Sequence, residues 1–323
     1  MIEIAPRGIW VTALAVALLT VALPPSLDLG EEGSEYQLPA DRGAQASPST
    51  EWALGSFEPP NWMAIYSHVD DERSAVEALQ IAENVGVKVP SIDYDASRGS
   101  YYVEDGVSSY EVVVYETPDS FLLRDETIFD TITDGKQPDL PTETEGKELA
   151  LEYLAESDQL PAEQAVDTAA PDYYWNTQVE VNTTTDEKTV LKTNLQVRFD
   201  RQVDGYPASG GGSKLYVHFS DGSHLAGVTK AWPALEKEGS EDLRTLGEAM
   251  AMVNKSSSNM RMDVPPNCAN LKLTSGQIEY HVPGPQSTET QAFPVFSFLG
   301  SCEGIDGDPI TGEKAQVLVP AVG

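Results

Sequence analysis

The chain has 323 residues, 40% of them hydrophobic, and carries 52 acidic against 20 basic side chains for a formal net charge of −32. Such an apolar fraction supports folded cores in two or three domains and excludes wholesale disorder. The acidic excess repels phosphate backbones, which excludes nucleic acid as a partner, and it suits a salty setting where screening relieves self-repulsion.

An apolar run over residues 9–23 follows Arg7 and stops at Pro24-Pro25. Its length fits the core of a secretory signal peptide and is slightly short for a spanning helix of about 20 residues. Residues 1–27 therefore read as a signal peptide or a single-pass signal anchor, an N-terminal apolar helix that holds the chain to the membrane if it stays uncleaved. Residues 28–56, rich in Gly, Pro, Ser and acid, read as a flexible acidic linker.

Three units follow. In the first, residues 57–140, Ala75, Ala78, Leu79 and Ala82 recur at helical spacing and predict a helix over 72–85 ended by Gly86. Strands are expected at 100–104 and 107–115, joined by Asp105-Gly106, and at 120–128.

The second unit, 141–237, opens with a capping box, Thr142 with Glu145, before a helix carrying Leu149, Ala150, Tyr153 and Leu154. Its strands alternate plainly: Leu195, Val197, Phe199 and Val203 on one face, Gln196, Arg198, Asp200 and Gln202 on the other. Leu215, Val217 and Phe219 repeat the pattern. A sheet wetted on one side follows, and Arg198, Gln202, Tyr216 and His218 form its face open to a partner.

The third unit, 238–323, begins at Ser240 as an expected N-cap, with Leu243, Leu246, Met250 and Val253 at helical spacing. Strands are expected over 271–282, 293–299 and 315–322. The fold class is thus α+β: tandem units, each a helix packed on an antiparallel β-sheet, behind the apolar N-terminal helix.

Residue spacing decides among the candidate chemistries. Zinc proteolysis needs two histidines one helical turn apart, and His68, His218, His224 and His281 are widely spread. His218 and His224 could meet across a hairpin, but surface strand residues are the simpler reading. The stretch around Cys302 mimics a nucleophile elbow, yet no histidine follows it. Ser213 separates the glycines 210–212 from Lys214 and a strand follows, which excludes a P-loop. Asp306, Asp308 and Glu313, with Gly307 and Gly312, have the oxygen-rich character of a calcium loop but lack the twelve-residue register of an EF-hand, and a solvated acidic loop is the simpler reading. Asn182 and Asn254 stand in glycosylation sequons. No catalytic residue, metal or cofactor is expected. The only two cysteines, Cys268 and Cys302, pair as a disulfide or remain two buried thiols.

The segments EGKELALEYLAES and VRFDRQVDGYPASGGGSKLYVHFSDGSHLAGVTKAW resemble PepSY-type domains, including the fungalysin/thermolysin propeptide family. Asp204, Gly205, Pro207, Gly211, Val217, Asp221, Gly222 and Gly227 carry the likeness. The layout resembles membrane-anchored YycH/YycI-type regulators. These resemblances imply an extracytoplasmic, non-catalytic module, secreted or tethered, that binds or restrains another envelope or secreted protein. A cell-surface structural or adhesive protein is the alternative.

Overall fold

Strand pairing, more than helix packing, organises this chain. The computed structural model describes residues 48–323 except 70–71, 89, 106–108, 118, 130–135, 163–164, 183–186 and 311–313. In chain order the elements are β1 (Ser49–Trp52), β2 (Trp62–His68), α1 (Ala75–Asn84), β3 (Pro90–Asp95), β4 (Ser100–Asp105), β5 (Tyr110–Tyr115) and β6 (Ser120–Asp125). Then come α2 (Glu143–Glu156), β7 (Val166–Asn182), β8 (Glu187–Val203), β9 (Tyr206–Ser209), β10 (Lys214–Phe219), β11 (Leu225–Ala231) and β12 (Leu235–Asp242). The chain closes with α3 (Leu246–Asn254), β13 (Arg261–Asp263), β14 (Asn270–His281), β15 (Gln291–Glu303) and β16 (Ala315–Pro320).

The expected tandem α+β units are corrected to a mostly β architecture, one sheet of 16 strands ordered β12-β2-β15-β14-β9-β8-β10-β11-β6-β5-β4-β3 with the remaining strands alongside. The reason lies in the pairings that cross the expected boundaries. Strand β6 pairs β11, β9 pairs both β8 and β14, and β2 pairs β12 and β15. Alternation tells which face of a strand is dry; it does not name the neighbouring strand. The sheet is also mixed, since β1 and β9 both run parallel to β14.

The three α-helices among the described residues start with the same device. Ser74 and Glu77, Thr142 and Glu145, and Thr245 and Glu248 form reciprocal capping boxes in which each glutamate accepts from the N-cap backbone at 2.8–2.9 Å. The third box replaces the expected cap at Ser240, which instead lies in β12 opposite Ala64. Two main cores result. Helices α1 and α2 share one, burying Ala78, Ala82, Ala150 and Leu154 against Val103, Phe121, Leu195, Val197, Phe199, Leu215 and Val217. Helix α3 seals the other, where Ala249 and Val253 meet Leu271, Leu273, Phe296 and Phe298. The end of the expected linker belongs to this second core: Trp52 packs edge-on against Phe298 at 5.1 Å and donates to Asn254 Oδ1 at 3.1 Å.

Val217, one of the residues carrying the PepSY likeness, is buried in the core, whereas the glycines among them serve turns and close approaches. Asp204 and Gly205 both have positive φ, 52° and 77°, and form the two-residue turn between β8 and β9. The glycine run at 210–212 exists because another backbone passes against it: a Cβ on Gly212 would sit 2.2 Å from the Pro283 carbonyl oxygen, and one on Gly210 2.4 Å from that of Val282. Arg201, on the dry face of β8, pins this turn by donating to the carbonyls of Gly212 at 2.7 Å and Pro233 at 2.8 Å, with its guanidinium 4.9 Å from the Trp232 ring. Burial lowers its pKa to about 10.

Cys268 and Cys302 form a disulfide with Cα atoms 5.3 Å apart, tying the loop before β14 to the end of β15. Such a bridge belongs to an oxidising compartment and agrees with an extracytoplasmic location. The expected transmembrane helix at 9–23 falls outside the described residues. Among those described, no helix is long and apolar enough to cross a membrane.

Candidate functional site

The helices α1 and α2 cover one face of β3–β6, β8, β10 and β11, which leaves the opposite face as the candidate site. Side chains alternate along each strand, so the register fixes which residues share that face. One row runs across seven strands: Asp93, Tyr102, Val113, Leu122, Thr229, Tyr216 and Arg198 stand opposite one another in turn. Asp172 of β7 ends the row opposite Arg198.

Arg198 is the centre of this face. Its Nη2 donates to the Tyr216 hydroxyl at 2.9 Å, and its guanidinium carbon lies 4.6 Å from the Tyr216 ring and 4.7 Å from the Tyr174 ring. A cation between two aromatic faces is held by their quadrupoles, and here the planar guanidinium also keeps a directed hydrogen bond. Beside it, Gln196 Nε2 lies 3.2 Å from His218 Nε2. Burial lowers the His218 pKa to about 4, so the ring stays neutral near pH 7. Burial also raises the Tyr216 pKa, an effect that neighbouring Arg198 partly offsets.

Of the four predicted face residues, the structure brings together Arg198, Tyr216 and His218. Gln202 stands apart, opposite Pro207 of β9, because β8 leaves β10 and pairs β9 beyond residue 200. All four are half-buried rather than fully exposed. Tyr174 was missed along with the whole of β7, whose small and polar residues at 166–171 mask its strand pattern. The signal was present in the stretch YYWNTQV at 173–179, rich in aromatic and β-branched residues.

The histidines do not meet. His224 Nε2 lies 2.7 Å from Asp125 Oδ2 and 3.3 Å from the Tyr110 hydroxyl, with its ring stacked on Tyr110. Burial would raise the Asp125 pKa, but hydrogen bonds from Ser109, Thr127 and His224 outweigh it and hold the carboxyl at about 2. Both contacts of His224 run through one nitrogen, and the pair closes the ends of β6 and β11. Asp306 and Asp308 line a shallow hollow of about 260 Å³ with Pro265, Asn267 and Ile310, while Glu313 lies outside the described residues. Among the described residues, no three His, Cys, Asp or Glu side chains are grouped to hold a metal ion.

No family model matches the chain, and no curated protein matches it. Among solved structures, the fold is similar to that of an uncharacterized protein from Eubacterium rectale, with a TM-score of 0.50 and 13% identity over 85% of this chain and 88% of the other. That likeness speaks to the fold alone.

Proposed function

We propose that this chain is an exported, non-catalytic module that binds another envelope or secreted protein through the face centred on Arg198. The observation that carries the proposal is the clamping of Arg198 between Tyr174 and Tyr216 on a sheet face that no helix among the described residues covers. Tyrosine and arginine are the side chains that dominate the binding energy of protein interfaces, and a guanidinium already held in place loses less entropy when a partner docks. Leu122, half-buried in the same row, adds apolar area between the polar groups. The non-catalytic part of the proposal draws support from Cys302, whose sulfur is locked in a disulfide with Cys268 and cannot act as a nucleophile.

The PepSY and YycH/YycI resemblances point the same way, toward a regulator or inhibitor. The run at 9–23 would then serve as its export signal or as a single membrane tether. The test places a photo-reactive residue at Thr229, within the row, and exposes the chain to its native envelope fraction. A discrete adduct that Arg198→Glu abolishes, while the variant still unfolds in one cooperative urea transition, is expected. An adduct unaffected by Arg198→Glu overturns the assignment of the face, and turnover of peptide or ester panels that a point substitution removes overturns the non-catalytic reading.

A further inference from the structure

Among the described residues five strands pair on one side only, and they are not alike: short β1 carries Glu51 and short β13 carries Arg261 and Asp263. Strand β12, at one end, exposes Glu236, Glu238, Glu241 and Asp242. At the other end β3 carries Asp93 and Asp95. Charge on an edge strand discourages pairing with another chain. The remaining one is β7, which among the described residues pairs only with β8. Its residues 173–179 contain no charge, no proline and no glycine. Past the core, the β7–β8 hairpin also exposes Val179 at 53%, Val181 at 48% and Val190 at 60%, with Val179 and Val190 directly opposite each other.

We infer that the outer edge of β7 pairs with the same edge of a second copy, antiparallel about a two-fold axis at Thr177. The register follows from charge and from the faces. An axis at Asn176 would set Asp172 against Glu180 of the second copy, two like charges across a strand pair. An axis at Thr177 sets Asp172 against Asn182 and Glu180 against Tyr174, so no carboxylate meets another. That register also places Trp175 opposite Val179 and Tyr173 opposite Val181 on a shared face. Val179 and Val181 each thereby gain an aromatic neighbour, a cross-strand pairing that stabilises sheets. A two-fold contact needs a self-complementary patch, and this edge supplies one.

The opposing force is long-range repulsion between two chains of net charge −32 each. Salt shortens its reach from about 10 Å at 0.1 M to about 3 Å at 1 M, so association should strengthen with ionic strength. Sedimentation velocity of the full chain is expected to show twice the single-chain mass at about 1 M salt and a shift toward the single chain at about 0.1 M. Val179→Lys should weaken the dimer by at least about tenfold, the equivalent of 1.4 kcal/mol. In a glutathione buffer, Thr177→Cys should link to its own copy, since directly opposed residues lie within disulfide reach, whereas Gln178→Cys should link at least about tenfold less. A single-chain mass at both salt concentrations, or equal linking by the two cysteine variants, would overturn the inference.

Discussion

Arg198 and Tyr216 stand directly opposite each other on β8 and β10, joined by a 2.9 Å hydrogen bond and by the 4.6 Å approach of the guanidinium to the ring. Position 198 is thus neither a freely solvated surface site nor part of the core. Arg198→Ala is expected to cost about 2 kcal/mol, the scale of two partly exposed cation–π contacts plus one hydrogen bond. Its neighbour Phe199, 1% exposed on the other face, should cost about 3 to 5 kcal/mol on truncation to alanine. Urea melts of the two variants check the pair, and the reverse order would mean that the faces of β8 are exchanged.

The dry face of β8 was legible because period-2 alternation is a local property: Leu195, Val197 and Phe199 could be marked without knowing the neighbouring strands. The capping box at Thr142 was legible for the same reason. The single sheet was not, because β6 meeting β11 and β2 lying between β12 and β15 join segments far apart in sequence. Arg201 broke the alternation, and only the structure shows why a cation belongs there: two carbonyls in the glycine turn and at Pro233 need donors. The tyrosine clamp was half legible, since Tyr216 falls in the alternation whereas Tyr174 needs the register of β7.

The glycine turn supplies the second prediction. A methyl group on Gly212 would fall 2.2 Å from the Pro283 carbonyl oxygen, 2.8 Å from Val282 Cγ1 and 3.0 Å from Pro233 Cγ. The nearest of these is backbone, so relief requires moving the chain at 282–284. Gly212→Ala is expected to cost about 1 to 3 kcal/mol, the range for overpacking, as read from the urea midpoint. Gly239→Ala, with nothing within 4 Å of its Cβ position, is the control and should stay within about 0.5 kcal/mol.

The disulfide supplies the third. It closes a sequence separation of 34 residues. In the loop-entropy model a loop of this size contributes roughly 3.5 to 4 kcal/mol. Paired substitution of Cys268 and Cys302 by alanine should remove most of that, lowering the melting temperature without changing the slope of the low-denaturant baseline. A double variant as stable as the parent would show that the bridge constrains little in the unfolded chain.

The last prediction concerns acid. His281 is 3% exposed with its Nδ1 buried and unpaired, and burial, aided by repulsion from Arg261, lowers its pKa to about 4. The folded ring therefore remains neutral at pH values where the unfolded ring, near its ordinary 6.5, takes up a proton. The unfolded state then binds more protons between about 6.5 and 4, so stability is fully present above 6.5 and falls as the pH drops through that window. For His281 alone the loss approaches about 3 kcal/mol as an upper bound, from 1.36 kcal/mol per unit of difference. The half-buried His218, also lowered to about 4, adds a smaller share because water still screens it. Urea midpoints measured from pH 7 to pH 4.5 should decline for the parent chain. His281→Phe should flatten the decline even if it shifts the curve as a whole, because the slope reports proton uptake and the offset reports packing. An unchanged slope in that variant would mean that His281 is protonated in the folded chain, with Arg261 giving way to accommodate it.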